Sequence, residues 1–117
     1  MSEDILAEAR KELMEKGFID QDLLAWAMIK ESSFKFSNVF FGIKNGELMI
    51  LPIVNFKEML LNEVKYYKKG DVENFTFSGF AGVIKIKLKQ EGSFRYRPMG
   101  TGNSIPDLKK IVSMFNQ

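Results

Sequence analysis

The chain contains no cysteine and no histidine. Disulfides, thiolate nucleophiles, Cys/His zinc sites and the imidazole suited to proton transfer near neutral pH are therefore all excluded. A chain without cysteine suits a reducing compartment. Long apolar runs are missing too. None approaches the roughly 18 residues needed to cross a bilayer as a helix. The opening segment MSEDILAEARKELMEK is acidic and amphipathic, without the apolar centre of a secretory signal. Together these features predict a cytoplasmic protein.

Charge of one sign is also scarce. Seventeen Lys and Arg against fifteen Asp and Glu leave a formal net charge of +2. Any preference for anions must then come from local clustering. With 45% hydrophobic and 27% charged residues over 117 positions, the composition is that of one globular domain with a real core. No internal repeat or low-complexity tract divides it, so residues 1–117 read as a single domain. No residue constellation marks a catalytic centre, cofactor site or metal site. The expectation is a protein that is not an enzyme.

Ser2 can cap a first helix that puts Ile5, Leu6, Ala9, Leu13 and Met14 on one face, and Gly17 ends it. Asp20 is a second cap candidate. Leu23, Leu24, Trp26, Ala27 and Ile29 follow as a more apolar second helix, so residues 1–36 are expected to form a helical extension. From Ser37 the period changes to two. Asn45-Gly46 lies between apolar runs, and this dipeptide supplies the positive φ angles of a type I′ hairpin. The turn pairs Lys44 with Glu47, Ile43 with Leu48 and Phe41 with Ile50. Phe40, Met49 and Leu51 make the other face apolar as well, so helices should cover it.

Residues 56–68 admit two readings. Phe56, Met59, Leu60 and Val64 fit a helix, whereas Val64 with Tyr66 fits a strand. Two short strands, near 56–60 and 63–68, are the reading adopted. ENFTF alternates through Phe75 and Phe77, and Gly79 and Gly82 bracket a turn.

The run VIKIKLKQEGSFRYR alternates Ile84, Ile86 and Leu88 with Lys85, Lys87 and Lys89, and Phe94 and Tyr96 with Arg95 and Arg97. A three-residue loop, Gln90-Glu91-Gly92, keeps the two faces in phase. It pairs Lys87 with Arg95 and Lys85 with Arg97, with Gly92 in the left-handed conformation. The last segment begins at Ser104 as a cap, with Pro106 in the first turn. Its stripe Ile105, Leu108, Ile111, Val112 and Phe115 is suited to docking on a sheet.

The hairpin VFFGIKNGELMILPI, the run GDVENFTFSG, the hairpin VIKIKLKQEGSFRYR and the helix SIPDLKKIVSMFNQ together resemble the bacterial pleckstrin-homology-like domains over residues 37–117. The resemblance implies an α+β protein: an antiparallel barrel or sandwich of six or seven strands, closed by a C-terminal helix and preceded here by two N-terminal helices. It also implies binding or assembly rather than catalysis. Phosphoinositide-binding members of that family share a basic cluster at the first inter-strand loop. The turn taken to correspond, Lys44-Asn45-Gly46-Glu47, is short and carries one cation, so that site is not transferred.

Lys85, Lys87, Lys89, Arg95 and Arg97 are the candidate anion-binding residues. Their plainer reading is the wet face of a half-buried sheet. Like charges set opposite one another cost roughly 0.2–1 kcal/mol per pair. Such a face therefore calls for negative charge: acids from a neighbouring strand or from the N-terminal helices (Glu3, Asp4, Glu8, Glu12, Glu15), or an external anion. Nucleic acid is disfavoured, because Tyr96 is on the opposite face and no aromatic interleaves the cations. Met99–Ser104 before the last helix lacks the Walker Lys-Ser/Thr and reads as a linker. Trp26 is a core residue by default and a candidate partner contact otherwise. Glu58 and Glu63 read as solvated. The functional expectation is a non-enzymatic module that binds a protein partner or self-associates. Seven methionines suit adaptable contacts. The alternative is a peripheral binder of an anionic membrane surface through the basic hairpin.

Overall fold

The computed structural model describes residues 6–30, 36–99 and 104–116. Helix α1 (Ala7–Glu15) precedes eight strands: β1 (Ala25–Lys30), β2 (Phe36–Lys44), β3 (Glu47–Asn55), β4 (Glu58–Met59), β5 (Lys65–Tyr67), β6 (Val72–Ser78), β7 (Val83–Leu88) and β8 (Gly92–Pro98). Helix α2 (Ser104–Met114) follows. All strand pairs are antiparallel, in the order β4-β3-β2-β1-β8-β7-β6, with β5 also paired to β3. The fold is thus α+β with an open antiparallel sheet and a C-terminal helix.

Two expectations are corrected. The apolar segment beginning at Ala25 is strand β1, not a second helix, so one N-terminal helix remains among the described residues and the sheet gains a strand. Ala25 and Ala27 are buried in one core, and Leu24 is buried in another on the opposite face. A strand coated on both faces is a continuous apolar run, which periodicity alone does not separate from a buried helix. β1 is also central: it pairs with β2 along six residues and with β8 at Ala27 and Met28. Second, no barrel closes. β6 forms one end of the strand order and β4 the other.

The end of the first helix and the β2–β3 hairpin behave as expected, whereas Asp20 takes another role. Ala9 and Leu13 of α1 are buried, as is Leu6 just before it. Gly17 ends the helix at φ +79°, with the Phe18 N–H on the Leu13 carbonyl and the Gly17 N–H on Met14. That is the Schellman arrangement, which needs a left-handed residue. The Ser2 cap lies outside the described residues. Asp20 does not cap a helix. Its carboxylate accepts the Asn45 N–H at 2.8 Å and so ties the α1–β1 connection to the β2–β3 turn. Asn45 and Gly46 have φ of 53° and 75°, and the register is Lys44–Glu47, Ile43–Leu48, Phe41–Ile50, as the turn type requires. Residues 56–68 hold the two short strands β4 and β5, separated by a helical turn at Leu61–Glu63.

The core has two parts. The larger lies between the two halves of the sheet under α2, and includes Phe41, Ile50, Phe75, Ile84, Ile86, Tyr96, Leu108 and Ile111. The smaller lies on the opposite face of β2 and β3, where Leu6 and, from α1, Ala9 and Leu13 meet Phe40, Met49 and Leu51. Helix α1 therefore supplies the cover that the two-sided apolar pattern of β2 and β3 demands.

Candidate functional site: the basic face of the β7–β8 hairpin

Alternation in β7 and β8 sorts side chains as the sequence implies. Ile84, Ile86 and Leu88 are buried at 0%, 1% and 3% exposure, while Lys85, Lys87, Lys89, Arg95 and Arg97 are all exposed. The hairpin register differs from expectation by two residues. Lys85 faces Arg95, Lys87 faces Ser93, and Leu88 faces Gly92. The three-residue loop is Lys89-Gln90-Glu91, one position earlier, and Gly92 still takes positive φ, at +97°. A two-residue shift keeps every side chain on its face, because the strand period is two. It also lowers repulsion: one pair of cations stands directly opposed instead of two, and Arg97 instead faces Met28 of β1.

The neighbouring strand supplies one acid. Glu73 of β6 lies 3.3 Å from Lys87. Among the described residues Lys85, Lys89, Arg95 and Arg97 have no ion pair. The acids of α1 are not there, because that helix packs on the other face of β2 and β3. Among the described residues nothing else of opposite charge meets the outer face of β7–β8.

A second concavity opens between the two halves of the sheet. It has a volume of about 620 Å³ and is walled by Ile29, Val39, Ile50, Pro52, Leu88 and Phe94. Polar groups gather at Glu91, whose carboxylate lies 3.1 Å from Lys65 Nζ and faces the Tyr67 hydroxyl. The Tyr67 bond and Lys65 lower the Glu91 pKa against a smaller opposing effect of burial. Burial, followed by Glu91, raises the Tyr67 pKa. Burial and the Glu91 charge push Tyr96, which also lines the cleft, up to about 12. At neutral pH both phenols keep their protons, and the Lys65–Glu91 pair fastens β5 to the β7–β8 turn.

Of the other candidates, Trp26 is half-buried. Its indole N–H donates to Asn38 Oδ1 at 2.8 Å, and its ring meets Phe56 edge-on at 4.6 Å. Glu58 and Glu63 are exposed, Glu63 at the cleft wall. Two groups escaped the sequence reading. The first is the buried polar set Arg10, Ser104 and Asp107, described in the Discussion. The second is Phe80, fully exposed at 106% on the β6–β7 turn. The Gly79 and Gly82 that bracket it were a legible signal, since an aromatic between two turn glycines has no strand to carry it inward.

No known protein family, curated protein or solved structure matches the chain. No helix among the described residues is long and apolar enough to cross a membrane.

Proposed function

We propose that the protein is a non-enzymatic binding module on a pleckstrin-homology-like scaffold, and that its basic outer face docks on an anionic membrane surface. The antiparallel strand order with a C-terminal helix supports the scaffold reading. The first inter-strand connection is now the one between β1 and β2, residues 31–35, which lies outside the described residues; the Asn45-Gly46 turn joins the second and third strands. The basic face is a different surface from the Asn45-Gly46 turn. A cytoplasmic setting belongs to the same proposal, in keeping with the absence of cysteine.

One observation carries the docking. Five cations share an exposed face, one of them meets an acid, and Lys85 stands directly opposite Arg95. Such a face is electrostatically unfavourable alone and is relieved by a sheet of negative charge. Each cation near an anionic membrane contributes about 1 kcal/mol, or roughly fivefold in binding.

The test is sedimentation with phosphatidylcholine vesicles, with and without phosphatidylserine, across a range of salt. Binding should require the anionic lipid, weaken as salt shortens the screening length, and fall by more than tenfold in the double variant K85E/R95E. Binding that is indifferent to salt or to that variant refutes the proposal. A protein that ignores vesicles yet becomes dimeric with rising concentration would support self-association instead.

A further inference from the structure

Phe80 is the most exposed large apolar side chain among the described residues. Its exposure is built. The turn is pinned by the Gly82 N–H on the Ser78 carbonyl at 2.8 Å and by the Ala81 N–H on Ser78 Oγ at 3.1 Å. Gly82 adopts φ +63°, a conformation that side chains rarely take, and a Cβ there would meet nothing within 4 Å. The turn therefore holds its shape without packing, and projects one ring into solvent.

Cations flank the turn that carries this ring. Ala81 and Gly82 line one depression together with Arg95 and Arg97. Ala81 lines another together with Lys85. An apolar point between cations matches the boundary of an anionic bilayer, where phosphates lie at the level of the cations and acyl chains begin just beneath. A second copy of the chain is a poorer match, because the same positive rim would oppose itself.

We infer that Phe80 is an apolar anchor that enters the acyl boundary of an anionic membrane when the basic face docks. This rests on the docking reading above and adds to it an orientation, with the β6–β7 turn downward, and a source of binding that salt does not screen.

The full-length chain is compared with F80A, F80L and K85E/R95E on phosphatidylcholine–phosphatidylserine vesicles across salt. F80A should weaken binding roughly tenfold at every salt concentration without changing the salt dependence. F80L should retain most of the binding, and K85E/R95E should flatten the salt dependence. In F80W, lipids brominated in the acyl chain should quench the new indole while leaving the wild-type Trp26 emission unchanged. Wild-type binding by F80A, beside loss in K85E/R95E, overturns the anchor and leaves the docking intact. No vesicle binding by the wild type overturns both. Dissociation of a dimer by F80A without vesicles reassigns Phe80 to a contact between copies and overturns the anchor.

Discussion

The Asp107 carboxylate of α2 accepts the backbone N–H of Leu24 at 3.1 Å, across 83 residues of chain. The same oxygen lies 3.7 Å from the Arg10 guanidinium of α1, and Arg10 Nε lies 3.6 Å from Asp22. Three residues from Asp107, Ser104 Oγ accepts the Trp26 N–H at 2.8 Å. The start of α2 thereby supplies acceptors to the start of β1, beside the edge that faces β8. Replacing Asp107 by alanine leaves a buried N–H without its acceptor and removes a carboxylate from beside a buried guanidinium. We expect a loss of about 2–4 kcal/mol in chemical denaturation, with D107N losing less. A D107A midpoint equal to wild type would contradict this account of how α1, β1 and α2 are fastened.

Gly42 in β2 is a contact point for the α1–β1 connection. A Cβ there would stand 2.6 Å from Ile19 Cγ2 and 3.3 Å from Met49 Cε. The Ile19 methyl is β-branched and fully packed, so it yields little. G42A should therefore destabilise the fold by about 1–3 kcal/mol through overpacking. G42A/I19V, which shortens the opposing side chain at another of its branches, should recover only part of that loss. Thermal melts of the two variants decide the matter.

Tyr96 contributes to the alkaline limb of stability. Burial, then the Glu91 charge, raises its pKa to about 12 from 10.0. The folded protein keeps this proton where the unfolded chain has released it, so the contribution is whole below pH 10 and is lost as pH climbs toward 12. One such group gives a slope of about 1.4 kcal/mol per pH unit across that window. Tyr67 and Tyr66, both raised chiefly by burial, add in the same direction. Urea midpoints between pH 9 and pH 12 should fall less steeply in Y96F than in wild type; identical slopes would refute the assignment.

Legibility in the sequence followed how local the deciding interaction is. Asn45-Gly46 dictates its own turn, and the turn dictates the register of the strands beside it. The alternation of Ile84, Ile86 and Leu88 with lysines sorted inside from outside without any knowledge of partners. The register of the β7–β8 hairpin needed more. Gly92 is left-handed in either alignment, and choosing between them depended on removing an opposed cation pair and on Glu73, which reaches Lys87 from the next strand. The strand at Ala25–Lys30 looks helical in sequence because both its faces are apolar: Ala25 and Ala27 enter one core, while Trp26 packs against the other. An apolar run without polar punctuation carries no period.

The sequence by itself determined the Asn45-Gly46 turn, the sorting of the β7–β8 side chains and the cationic stripe, because each is set by residues within a few positions of one another. Tertiary structure alone decided that Ala25–Lys30 is a central strand, that α1 lies away from the lysines and arginines, and that Asp107 serves Leu24. Those outcomes depend on which surfaces meet across the whole chain, and burial on both sides erases the local pattern that would have announced them.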